Sequence, residues 1–202
     1  MILQAAILLA SLSVTAGQGG SLCCPLPQFH AFQHVTTVNS TSSMRSLQSF
    51  IYDGVNQRYV ISGDLNFDYI GTTKVIYDYN KRTGYRINTE TRVCTTFPLG
   101  GNFKEQENVC VPSGAVSSGP LYYGYGQGRL ASLSYSYNTT TADGRHQAVV
   151  ATVTKEGCFP IISTTTTTGG QGGNALKVLG YAYIYPGNPD VTVFDIPPYC
   201  TV

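Results

Sequence analysis

The sequence predicts an all-β protein built from stacked antiparallel sheets or a partly closed barrel. Three observations carry this. Beyond an N-terminal apolar run, residues alternate with period 2, and an apolar period of 3.6 is almost absent. Turn chemistry separates the alternating runs. The composition suits strands, with 15 Tyr and 22 Gly among 202 residues and no Trp.

The runs follow in order. Leu47 to Tyr52 is a strand, Asp53-Gly54-Val55-Asn56 a turn, and Gln57 to Ile61 the returning strand. Thr73 to Tyr79 places Val75, Tyr77 and Tyr79 on one face. Asn80-Lys81-Arg82-Thr83-Gly84 is a turn with Gly where positive φ is wanted. Tyr85, Ile87, Thr89, Thr91 and Val93 then alternate with Arg86, Asn88, Glu90 and Arg92, predicting one strand with a buried and a wet side. Leu133, Tyr135 and Tyr137 alternate with Ser132, Ser134 and Ser136. Tyr181, Tyr183 and Tyr185 alternate with Ala182 and Ile184. Ala148 to Thr154 and Val191 to Phe194 complete the strands. Leu99 to Asn102 and Gly114 to Pro120 are expected as loops. The Thr164 to Thr168 run either extends a strand or carries O-linked sugar, and Gly169-Gly170-Gln171-Gly172-Gly173 is a flexible loop tip.

The first residues read as a targeting segment. An apolar stretch from Ala5 through Leu12 and Val14 ends in Thr15-Ala16-Gly17, the layout of a signal peptide over residues 1–17. Cleavage falls after Ala16 or Gly17. The run is too short for a stable membrane anchor, and no later segment is apolar for long enough to span a bilayer as a helix. Residues 18–202 are then one secreted, extracellular domain, large enough to bury a core. The formal charge is +1 and charged residues make up 11%, which argues against a nucleic-acid-binding surface.

An even set of six cysteines behind a signal peptide predicts three disulfides: Cys23, Cys24, Cys94, Cys110, Cys158 and Cys200. Six cysteines allow 15 pairings, and spacing does not choose among them. Bonding between the neighbours Cys23 and Cys24 is disfavoured by disulfide geometry. Asn39-Ser40-Thr41 and Asn138-Thr139-Thr140 are N-glycosylation sequons, so Asn39 and Asn138 are expected on exposed loops or edges.

No catalytic constellation emerges, and the chain is expected not to be an enzyme. Gly-x-Ser-x-Gly, His-Glu-x-x-His and phosphate-binding loop patterns are missing from the sequence. His30 and His34 share a face of an extended segment, but a partly exposed polar pair is the more economical reading than a metal site. The third histidine is His146. Asp64, Asn66 and Asp68 place oxygen ligands at alternate positions, as in the first half of an EF-hand loop. Tyr69 and Val75 then stand where Gly and the bidentate Glu belong, so the set is at most one wall of a weak calcium site. A sheet face of Tyr, Leu, Ile and Val must be covered, either by a filled core or around a cavity.

Several segments together resemble the ependymin-related family. They are Cys23-Cys24-Pro25-Leu26-Pro27-Gln28-Phe29; the nonapeptide Tyr52 to Val60; the Tyr-rich hairpin Tyr77 to Cys94; Cys158-Phe159-Pro160; and Pro189-Asp190 ahead of Phe194, Pro197-Pro198 and Cys200. The resemblance implies two stacked curved antiparallel sheets enclosing an apolar pocket, like an open barrel and similar to bacterial lipoprotein-carrier folds. It implies a secreted glycoprotein, a homodimer, calcium association and a hydrophobic or lipid-like ligand. It further implies disulfides joining Cys24 (or Cys23) to Cys158, Cys94 to Cys200, and Cys23 to Cys110. Tyr77, Tyr85, Ile87, Leu133, Tyr135 and Tyr183 are the candidate pocket lining. The alternative is a calcium-associated structural glycoprotein of an extracellular matrix, such as the organic matrix of a shell, with no dedicated ligand.

Overall fold

A computed structural model describes residues 21–63, 72–103, 109–141, 144–169, 173–187 and 190–200. Thirteen strands lie among them: β1 (Ser21–Cys23), β2 (Gln28–Asn39), β3 (Ser43–Asp53), β4 (Arg58–Ser62), β5 (Thr73–Asp78), β6 (Thr83–Asn88), β7 (Val93–Pro98), β8 (Val111–Pro112), β9 (Val116–Tyr123), β10 (Leu130–Thr140), β11 (His146–Thr154), β12 (Pro160–Thr168) and β13 (Ala175–Pro186).

β1 and β8 form a small pair, and the other strands form one 11-stranded sheet in the order β7-β6-β5-β4-β3-β2-β13-β12-β11-β10-β9. Every pairing is antiparallel. The chain therefore runs two meanders, β2 to β7 and β9 to β13, joined where β13 lies against β2. The edge strands β7 and β9 do not pair with each other, so the sheet is not closed. The antiparallel all-β class is as expected, but the two layers are halves of one continuous sheet. The seam explains why. β2 and β13 are both 12 residues long, and their register runs from Ala175↔Asn39 to Pro186↔Phe29. Periodicity locates strands, but it does not say which distant ones meet.

Three local expectations are corrected. The run from Tyr85 to Val93 is two strands, because the Asn88 side-chain oxygen accepts hydrogen bonds from the backbone N–H groups of Glu90 and Thr91. That Asx turn ends β6 and starts β7, with Arg92 at φ 55°. Val191–Phe194 is a 3-10 turn, not a strand, its start capped by Asp190, which accepts from the N–H of Thr192. Gly114 to Pro120 is largely strand, since β9 begins at Val116 and forms the sheet edge, where Pro120 is tolerated. The Thr run lies within β12.

Cross-strand register defines two sheet faces. The aromatic face carries Phe29, Ala31 and Gln33 on β2, Phe50 and Tyr52 on β3, Tyr59 on β4 and Tyr77 on β5. Phe29, Ala31, Phe50, Tyr52, Tyr59, Tyr79 and Phe103 bury one another in a core. Its rings meet tilted or stacked, as at Tyr59–Tyr77, 4.3 Å apart and 10° from parallel. Gly84 lies opposite Phe97, whose ring occupies the space that a side chain at 84 would need. The reverse face carries Val60, Ile76 and Ile87, sealed by Phe194 and Cys200 of the segment 190–200.

Candidate functional site

Three disulfides sort onto these faces. Cys23 bonds Cys158, Cys24 bonds Cys110, and Cys94 bonds Cys200. The Cys94–Cys200 pairing agrees with the resemblance. Cys24–Cys158 and Cys23–Cys110 are corrected: the two neighbours exchange partners. Alternate side chains of an extended segment point to opposite sides, so adjacent cysteines reach different targets. Cys23 reaches the turn before β12, while Cys24 reaches the segment leading into β8. Both therefore hold the β1–β8 pair, which packs with Tyr135 and Val153 through Val111. Cys94–Cys200 ties the segment 190–200 to β7 on the reverse face.

The proposed pocket residues do not converge. Tyr77 lies on the aromatic face against Tyr59 and Phe97. Leu133 and Tyr135 share that side but belong to a separate cluster with Val111 and Val153. Tyr85 and Ile87 have the opposite parity, because Tyr77 pairs with Gly84. They pack beneath Phe194 instead, and Ile87 is fully buried there. Tyr183 sits in the register irregularity of β13 at φ 50° and is 72% exposed. The expected single face of Tyr181, Tyr183 and Tyr185 is corrected as well: the irregularity leaves Tyr181 opposite Gln33 and Tyr185 opposite His30, on different faces, and relative parity between strands depends on turn geometry.

What the aromatic face offers instead is a band across the seam. Tyr135, Ala151, Ser163, Leu179, Val35 and Ser46 form one cross-strand row. Tyr137, Val149, Thr165 and Lys177 form the next. Ala151, Ser163, Leu179, Thr165 and Tyr137 are only half-buried. Val35, Ser46, Tyr135 and Val149 are the buried members of the band. Its floor holds a buried polar pair, with the Gln48 amide donating to the Gln33 carbonyl oxygen at 2.8 Å. Burial also raises the Tyr137 pKa, keeping its phenol neutral. The band thus places apolar side chains beside uncharged hydrogen-bonding groups, with Lys177 at one end.

The motif from Tyr52 to Arg58 is structural. Asp53 is buried and accepts hydrogen bonds from Gln28 Nε2 at 2.8 Å, Asn56 Nδ2 at 2.7 Å and Arg58 Nε at 2.9 Å. Burial pushes its pKa up, but the hydrogen bonds from Asn56, Gln28 and Arg58 outweigh that and hold it low. The Arg58 guanidinium also stacks 4.0 Å from the Phe194 ring centre, linking this turn to the segment 190–200.

Asn39 closes the β2–β3 hairpin, where its side-chain oxygen accepts from Thr41 and Ser42. Asn138 is exposed near the end of β10, in the row Asn138, Ala148, Thr166, Leu176, Val38. Both sequons thus lie along one rim of the sheet. An open cleft of about 400 Å³ lies there, lined by Asn138, Thr140, His146, Ala148, Thr166 and Thr168 among others. It is not the apolar pocket that the resemblance implied.

His30 and His34 lie on the reverse face of β2. His30 sits 3.0 Å from the Ser49 hydroxyl and stacks on Tyr185, and burial lowers its pKa. Asp64, Asn66 and Asp68 lie outside the described residues. No cluster of three or more metal-ligating side chains occurs among the described residues.

An unclosed antiparallel sheet clasped by three disulfides, with a partly uncovered amphipathic band, defines a β-sheet scaffold stapled as extracellular proteins are. The ependymin family profile matches residues 70–200. Two abalone proteins (Haliotis asinina) align across nearly the whole chain: ependymin-related protein 1 at 57% identity over 201 residues and ependymin-related protein 2 at 52% over 200, each covering 99% of both sequences. The chain belongs to the ependymin family. Among solved structures, it is similar to an uncharacterised conserved protein from Thermus thermophilus, with 11% identity, TM-score 0.49 and 88% of each chain covered. It is also similar to a LolA superfamily protein from Nitrosomonas europaea, with 10% identity, TM-score 0.43 and coverage of 87% of this chain and 93% of the other.

Proposed function

We propose that this ependymin-family chain is a secreted, N-glycosylated binding protein for hydrophobic, lipid-like molecules, and not an enzyme. The observation that carries this is the half-buried band across the β2–β13 seam. An acyl chain laid along the half-buried Tyr137, Ala151 and Leu179 removes apolar surface from water, at about 0.8 kcal/mol per methylene. The Gln33–Gln48 pair and Ser46 supply uncharged hydrogen-bonding capacity for a polar head. The core around Phe29 and Phe50 is already filled, so the ligand lies beside it. Secretion is supported by the N-terminal apolar segment, the disulfides and family membership. Sugars at Asn39 and Asn138 would crowd one rim and leave the disulfide-bonded end bare. Calcium association rests on the family resemblance.

Self-association is part of the same reading. Beyond the cover of segment 190–200, the reverse face exposes Phe32, Leu47, Leu176 and Val150, with Arg45 as the charge among them on these strands. A second copy packed sheet to sheet would bury them.

The test is uptake of a fluorescent fatty acid, together with mass spectrometry of an organic extract of purified protein. Saturable uptake that falls in Leu179→Asp, with the fold retained by circular dichroism, is expected. An empty preparation that takes up no probe would leave the matrix glycoprotein as the better reading.

A further inference from the structure

One apolar feature lies far from the band and owes nothing to it. The β9–β10 hairpin ends in Leu121-Tyr122-Tyr123-Gly124-Tyr125-Gly126-Gln127-Gly128-Arg129-Leu130. β9 is a sheet edge, so the hairpin has a neighbour on one side only. Every residue of this tip is exposed, and Tyr125 is 99% exposed. A side-chain carbon added at Gly126 or Gly128 would meet no atom within 4 Å. The tip therefore projects clear of the remaining described molecule.

A hairpin that merely faces water needs at least one polar side. This one has none. Register puts Leu121, Tyr123 and Leu130 on one face and Tyr122, opposite Ala131, on the other. Residues 109–141 contain no Asp or Glu, and Arg129 is their one charge. Its guanidinium lies 4.3 Å from the centre of the Tyr122 ring. Gly124 at φ 91° and Gly126 at φ 69° hold a turn that β-branched residues would resist.

We infer that this tip docks on an anionic phospholipid surface. Tyrosine suits the interface, with its ring among the acyl carbons and its hydroxyl at the headgroups. Arg129 answers the phosphate or carboxylate of an anionic headgroup, and no carboxylate in this stretch repels it. Aromatic residues also stack on sugars, but a sugar site needs planar acceptors for hydroxyl groups. Here Gln127 is the sole side-chain candidate.

The absence of Trp supplies the probe. Tyr125→Trp gives a protein with a single indole at the tip. Mixed phosphatidylcholine–phosphatidylserine vesicles should shift its emission to the blue and bring its quenching by brominated lipid. The variant Tyr122→Ser/Tyr123→Ser/Tyr125→Ser should lose roughly tenfold in vesicle partitioning, while its circular dichroism and melting temperature stay unchanged. Fatty-acid uptake measured on the same variant separates this inference from the carrier reading, since uptake should persist. An indole that stays water-exposed with vesicles overturns docking. So does equal vesicle binding by the triple variant, or retention on polysaccharide beads without vesicle binding.

Discussion

The two meanders share one hydrogen-bonded sheet, yet they are covered differently. In β2 to β6 the aromatic core fills one face, and segment 190–200 seals β4 to β6 on the other, while β2 and β3 leave Phe32 and Leu47 exposed there. In β9 to β13, β1 and β8 meet Tyr135 and Val153, and Tyr181 and Ile184 pack against the aromatic core. Elsewhere it presents Ser, Thr and small apolar residues to its surroundings. Identical secondary structure thus serves two ends. The first meander carries the aromatic core, and the second leaves more of its side chains half-buried.

The sharpest way to break this comparison is to release the reverse-face cover. Cys94→Ser/Cys200→Ser removes a bond closing a sequence separation of 106 residues. The chain-entropy account predicts a loss of about 4–5 kcal/mol, to be measured by urea unfolding. Phe50→Ala should cost about 3–5 kcal/mol in the same assay, because the fully packed aromatic core cannot collapse around the void. A loss under about 1 kcal/mol there would show that the first meander is not the anchor.

Asp53→Ala takes the acceptor from Gln28, Asn56 and Arg58, which are not themselves buried, and should cost about 1–3 kcal/mol. Its carboxyl is also a pH sensor of stability. The folded pKa is depressed, so the stabilisation is present above the ordinary carboxylate range. It is lost as pH falls through the folded value. Acid unfolding of Asp53→Asn should therefore lack part of the wild-type pH dependence. Val150→Ala on the exposed reverse face of β11 should change stability by less than about 0.5 kcal/mol. A larger effect that depends on protein concentration would instead point to burial against a second copy.

Much of the architecture was legible beforehand. Alternation around Tyr77, Tyr135 and Tyr181 marked strands because side-chain parity is local. The six cysteines announced three bonds. What stayed hidden was long-range. Nothing in β2 or β13 alone says that they pair, so two layers were expected where one sheet exists. Cys23 and Cys24 exchanged targets because opposite parity at adjacent positions fixes no absolute direction. Tyr85 and Ile87 lie beneath Phe194, since Val191 to Phe194 reads as another strand in the sequence. The candidate band was missed because Ser163, Thr165 and Gln33 carry no hydrophobic signal. Only their rows across six strands reveal it.

The seam between β2 and β13 also sets a schedule for biosynthesis. β2 emerges from the ribosome early, but its partner arrives near the last residues made. Until then, a 12-residue strand carrying Phe29, Phe32 and Val35 has one open flank, and bonds between such distant segments form slowly. Truncation ahead of Ala175 should leave a product that aggregates, even though most of its strands have been made.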